Sequence, residues 1–399
     1  MSNEGKPDNR LMDLALEVQA IAQSPEHQRR RTLWADVMAL RSTQPIVNFY
    51  MYRHAWKELH QSEMIYREGL PEFIELQLRA KLAQARDIPD DTPIDPSLYI
   101  FPARPANGRP LWGIEAKYER DHDTQACREL PVIETEADVE KIVAPIFEID
   151  EDATAANIDR ASELIGGALP VWPWTDDVGS SPVEPAVSFR GIQNLLMDVY
   201  DQPQMVHRLM QKITDGIISL HRQREAAGYY RARGLNGHVP YHPVPAGLEK
   251  KLKGSWQYVS AQSAMGLSPQ MYAEFIHPYD CRVAQTAGWV YYHGCEDLSQ
   301  KCQIIRDLPN LRLFHISPWT PPEPVIQTLG NRFAYEIHSH PAQVLYDETL
   351  GNVRDELKRR CAAAKGTSHV LELADVETFA GRFDRIVRWA ELAREAAGT

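Results

Sequence analysis

His293 and Cys295, two positions apart in "VYYHGCEDL", put an imidazole and a thiol on the same side of an extended chain, because side chains alternate along a strand. Both groups bind zinc, so the pair offers two of the three protein ligands of a catalytic zinc, or two of the four of a structural one. The same spacing fits a satisfied core histidine beside a small buried thiol. Further candidates lie in "YEIHSHP", where Glu336, His338 and His340 alternate and share one face if the strand runs that far. Polar groups in such a row need partners if they are buried. His238 and His242 stand among glycine and proline in "GLNGHVPYHPVP", a loop that could overhang strand ends or carry two solvated imidazoles. "LELADVETF" adds Glu372 and Asp375, the second equally readable as a turn or cap residue. Cys302, seven positions after Cys295, suits packing on a helix better than coordination.

These residues need strands to position them. From about residue 168, short apolar runs alternate with amphipathic stretches, the trace of a parallel sheet with crossover helices. "ALPVWPW", "SWQYVSAQ", "WVYYHG", "LRLFHIS", "RFAYEIHSH" and "HVLELAD" read as strands, and "SPQMYAEFIHPYDCRVAQTAG" as a helix with a Ser-Pro start. "FRGIQNLLMDVYDQPQMVHRLMQKITDGIISLHRQREAAG" reads as two helices joined at a proline turn, and "CEDLSQKCQIIRDL" as one helix. The repeated β-α units predict an α/β fold, a (β/α)8 barrel in preference to a doubly wound sheet, with ligands at the carboxyl ends of the strands. Residues 10 to 95 read as several helices, so the expected organisation is an N-terminal helical extension over 1–100 packed on a barrel over 101–399.

Composition narrows the class. A chain of 399 residues with 43% apolar residues can bury a large core. A net charge of −12 disfavours nucleic acid and anionic membranes as partners, and the short "HQRRR" run reads as a solvated helix face. No apolar run has the roughly 20 residues of a membrane span, and "MSNEGKPDNR" lacks the apolar stretch of a secretory signal. Five scattered cysteines suggest reduced thiols, and a cytoplasmic location is expected.

Several stretches together resemble the uroporphyrinogen decarboxylase superfamily, in the branch of methylcobalamin:coenzyme M methyltransferases. They are "GSSPVEPAVSFRGIQNLLMDVYDQPQMVHRLMQKITD", "LSPQMYAEFIHPY", "VYYHGCEDL" and "YEIHSHPAQVL". The resemblance covers about residues 165 to 395 and implies a (β/α)8 barrel, a zinc ion, and methyl transfer to or from a corrinoid (cobalamin) carried by a separate small protein. His293 and Cys295 match the family's first two zinc ligands. The family's later cysteine, near the end of the last strand, is missing, since "HVLELADVETF" has none. His338 is the expected replacement, ahead of Glu336 and Asp375. The arginine-rich segment with which uroporphyrinogen decarboxylases grip their substrate is also missing; "FYMYRHAW" stands in its place with Arg53 alone.

The resemblance thus implies a zinc-dependent methyltransferase whose partners are a small-molecule methyl donor or acceptor and a corrinoid protein. In this reading Glu296 or His340 handles the proton. Trp172, Trp174, Tyr292 and Trp319, with His238 and His242, would line the substrate site, and such a lining suits a methoxylated aromatic or a quaternary amine. Trp256 and Tyr258 read as core. The competing readings are a metal-free decarboxylase or lyase holding a carboxylate at Arg53, Arg104 or Arg190, and a non-catalytic corrinoid or tetrapyrrole binder.

Overall fold

The computed structural model describes residues 7–105, 110–120, 127–174, 181–232, 234–235 and 237–398. Its strands are β1 (Ile46–Met51), β2 (Leu98–Ile100), β3 (Lys117–Arg120), β4 (Cys127–Leu130), β5 (Val171–Pro173), β6 (Trp256–Ser260), β7 (Trp289–His293), β8 (Leu311–Ile316), β9 (Ala334–His338) and β10 (His369–Val376). Six of them form one curled parallel sheet in the order β1-β10-β9-β8-β7-β6. β2 and β5 form a separate parallel pair, and β3 and β4 an antiparallel hairpin.

The expected barrel is therefore present as a six-stranded half-barrel. A turn occupies the edge of β1 where another strand would pair: Asp91 and Asp90 carboxylates accept from the N–H groups of Val47 (3.0 Å) and Phe49 (3.1 Å), and the Asp91 N–H donates to the Val47 carbonyl at 2.7 Å. β2 and β5 are three residues long, and Pro173 removes a ladder donor from β5.

The reading of residues 10 to 95 as helical misses β1, which pairs in parallel with the last strand, β10. Helices do flank it, at Asn9–Gln23, Pro25–Met38, Arg53–His60 and Gly69–Asp87. Elsewhere, three helices replace the expected two, because Gly191 at φ 78° and Pro203 each break the ladder. The Ser-Pro helix begins as expected, with the Ser268 hydroxyl accepting from the Met271 N–H, but it divides at Ile276, just before Pro278. The helix expected after β7 shortens to Cys302–Ile305.

Strand alternation gives the sheet two unlike faces. Phe49, Val259, Tyr292, Phe314, Ile337 and Leu371 point outward into the main core, against helices such as Phe383–Ala397. Ile46, Trp256, Leu313, Ala334 and Val370 point inward, where Trp34 of helix Pro25–Met38 and Val239 pack on them as an apolar floor. Farther toward the carboxyl ends, the same inward face turns polar.

Candidate metal centre

Register builds this polar layer. Asn48, Glu372 and His338 are partners across β1, β10 and β9, and His315 and Glu336 across β8 and β9. On parallel strands, residues in register share a face, so five polar side chains converge before any loop contributes. The loop after β5 and its helices adds His238, whose ring lies 5.0 Å from that of Tyr291 and 5.7 Å from that of His293. The imidazoles of His293 and His315 are 4.1 Å apart, centroid to centroid.

Three sets of side chains each bring one potential ligand atom per residue within 4.8 Å of one another: His293, Cys295 and Asp375; His293, His315 and His338; and His238, Glu336 and Glu372. Asp375 enters by a bulge. Register slips between β1 and β10 so that Ala374 and Asp375 together stand opposite Tyr50, and Asp375 takes φ 57°. Simple alternation from Glu372 would have sent Asp375 to the outer face. The Tyr52 hydroxyl donates to Asp375 Oδ1 at 3.0 Å and fixes the carboxylate.

Hydrogen bonding separates the histidines. His315 Nδ1 contacts Glu336 Oε2, which also accepts from the Tyr291 hydroxyl, while His315 Nε2 is buried without a partner. A carboxylate behind one ring nitrogen with the other left bare is the arrangement of a metal-binding histidine. His293 Nδ1 is likewise buried and unpartnered. His338 differs: its Nε2 accepts the Ala374 N–H at 3.0 Å, so a neutral ring carries its proton on Nδ1, the nitrogen that faces no partner. His338 thus belongs to the His293 and His315 set, and it would have to surrender a hydrogen bond or a proton to bind a metal. Asp375, rather than His338, joins His293 and Cys295.

Burial dominates the electrostatics. It pushes His293 well below the usual imidazole range, with the neighbouring histidines adding to the effect, and His315 likewise. It raises the Cys295 thiol to about 12, helped by Asp375 and Glu296, so a thiolate here needs a cation. Glu336 and Glu372 are both pushed up by burial. For His238, burial acts downward, but Glu372, bonded to Nδ1 at 2.5 Å, together with Glu336 and Asp375 outweighs it and raises the group to about 9. Glu372 Oε2 also accepts from Asn48 at 2.8 Å. Nitrogen, sulfur and oxygen donors with bare buried nitrogens fit zinc.

The other expected residues scatter. Glu296 is 8% exposed, folded against Gly294 so closely that a Cβ there would lie 2.6 Å from its Oε2, and burial raises its carboxyl despite Lys301, 4.0 Å away. His340 precedes helix Pro341–Tyr346 and meets the exposed Trp319 at 5.4 Å between rings. Tyr292 faces outward, its hydroxyl bonded by that of Tyr272, since it alternates with Tyr291 and His293. His242 lies at the amino end of the sheet, 4.1 Å from the Trp289 ring. Trp172 sits under the Arg231 guanidinium at 3.6 Å, whereas Trp174 lines a cavity beside β1. Arg190 is bound by Asp198, Arg53 by Glu72, and Arg104 is exposed. Cys302 and Cys361 are buried in the main core.

Sequence reasoning missed His315 as a site residue, reading "LRLFHIS" only as a strand. The available signal was one histidine near the carboxyl end of each of three successive strands: His293, His315 and His338.

The chain matches no family model and no curated protein. Among solved structures it is similar to a methyltransferase from Methanosarcina mazei, with a TM-score of 0.56 and 11% identity over 93% of this chain and 99% of that one. At that identity the likeness describes the fold. No helix among the described residues is long and apolar enough to cross a membrane.

Proposed function

We propose that the chain is a zinc-dependent methyltransferase moving a methyl group between a small methylated substrate and a corrinoid carried by a separate protein. One observation carries the reading: His293, Cys295 and Asp375 offer nitrogen, sulfur and oxygen within 4.8 Å of one another at the carboxyl end of a parallel half-barrel. These three would hold the zinc, with Asp375 standing where the resembled methyltransferases have a cysteine. When bound, zinc lowers the pKa of a coordinated group and polarises the heteroatom that carries or receives the methyl. A fold shared with a methyltransferase fits this reading.

The remaining residues have supporting tasks. Tyr52 aims the Asp375 carboxylate. Glu336 keeps the proton of His315 on Nδ1. His338 presents an N–H to the site, and His238 offsets the charge of Glu372. Glu296, next to Cys295 in the chain, is the proton-handling group in this scheme, with His340 the other candidate.

Metal content by plasma mass spectrometry tests the reading, with chelators avoided throughout. About one zinc per chain is expected. It should be lost in His293→Ala, Cys295→Ala and Asp375→Ala, together with methyl transfer to cob(I)alamin. A metal-free, fully folded native chain would sink the proposal.

A further inference from the structure

A cavity of about 470 Å3 opens between β1 and helix Gly69–Asp87, within the size range of small-molecule sites. Its wall includes Tyr50, Tyr52, Trp56, Phe73, Phe101 and Trp174. The rings brace one another: Phe101 lies 5.4 Å from Phe73 and 5.8 Å from Trp174. The cavity adjoins the polar cluster through two tyrosines. Tyr50 lies 5.8 Å from the His238 ring, and Tyr52 donates to Asp375. Gly237 permits the approach, since a Cβ there would fall 2.5 Å from Tyr50 Cδ2.

Charge selects among flat ligands. Arg53, which lines the cavity over the Phe73 ring at 4.8 Å, shares the single carboxylate of Glu72 with Lys57, each at 2.9 Å. Two cations on one carboxylate leave a positive excess at this wall. Lys81 and Asp95, farther along it, are of opposite sign and add no net charge. A quaternary ammonium would find the Phe73 face already covered by a guanidinium and would meet like charge.

We infer that this cavity binds a planar aromatic carboxylate, its ring among the aromatic residues and its carboxylate at Arg53. Building on the methyl-transfer reading, the methylated substituent points past Tyr50 and Tyr52 toward His293, Cys295 and Asp375. Arg53 can form a two-point bond to a carboxylate while retaining one contact with Glu72.

Isothermal titration calorimetry of the full chain tests this, with 4-methoxybenzoate, anisole and glycine betaine as ligands, repeated after metal removal. 4-Methoxybenzoate should bind about tenfold or more tighter than anisole, the difference expected for one charge-assisted bond. Arg53→Gln should erase that preference, and Ala80→Trp, which fills the cavity, should abolish binding of both aromatic ligands. Betaine binding more tightly than 4-methoxybenzoate, or 4-methoxybenzoate affinity unmoved in both variants, overturns the assignment. Zinc present without any binding of 4-methoxybenzoate also overturns it and leaves the metal reading standing. Binding by a chain that never contains zinc supports the cavity assignment and removes the methyl-transfer reading instead.

Discussion

His238 and His242 are four residues apart in one loop and reach opposite ends of the concave face. His238 meets Tyr291, His293 and Glu372, and is raised to about 9. His242 meets Trp256 and Trp289, the first residues of β6 and β7, and is lowered to about 4 by burial with Arg312 adding to it. Burial disfavours the imidazolium at both ends, and only the polar end supplies a carboxylate to reverse it. The floor and the mouth come from the same strands, displaced by two residues, so inward position alone does not make a site. What distinguishes the mouth is the density of its donors, since imidazole, thiol and carboxylate atoms lie within 4.8 Å of one another there.

Mutation at each end separates these roles. Trp256→Ala should destabilise the chain by about 3–5 kcal/mol, measured by urea unfolding, while the folded variant keeps its metal stoichiometry. Loss of metal from that folded variant would erase the distinction between floor and mouth. Tyr52→Phe, which removes the hydrogen bond to Asp375 at the mouth, should weaken zinc affinity about 10- to 100-fold in competition with a chromophoric chelator, with a much smaller change in unfolding midpoint. The smallest effect is in pH dependence. The folded value of His242 lies near 4, below the unfolded value of about 6.5, so its contribution is full above about pH 6.5 and lost as pH falls toward 4. His242→Phe should flatten that acid limb of the urea midpoint, and an unchanged limb would assign it elsewhere. For His238 the sign is opposite: its contribution is complete below about pH 6.5 and lost as pH rises through about 9.

The strands from β6 to β10 were legible because each combines apolar or β-branched residues with a turn signal, and the position of His293 and Cys295 at a strand end followed from that. Alternation also held the answer for Tyr292, which must face away if His293 faces in. β1 was not legible as a sheet member, since "IVNFYM" is a short run among helices and its partner lies more than three hundred residues later. Asp375 was weighed behind His338 and as a turn or cap residue; its approach to His293 and Cys295 depends on a bulge that reverses the face alternation assigns. His315 escaped because it is enclosed in an apolar run, where its role depends on a cross-strand carboxylate at Glu336. The half-barrel itself was hidden for a related reason: two aspartates, not a strand, occupy the outer edge of β1.

That edge also dictates an order of events during synthesis. The Asp90 and Asp91 turn follows β1 within a few dozen residues, so one edge of the strand can be sealed early. The other edge awaits β10, and the Asn48 to Glu372 bond spans 324 positions. At ribosomal rates of about 5–20 residues per second, the nascent chain carries an unpaired strand edge for tens of seconds. An open edge of that kind invites pairing with other chains. Asn48 meets Glu372, and Tyr52 meets Asp375, only when β10 has emerged, so a product that stops before β10 lacks a complete mouth.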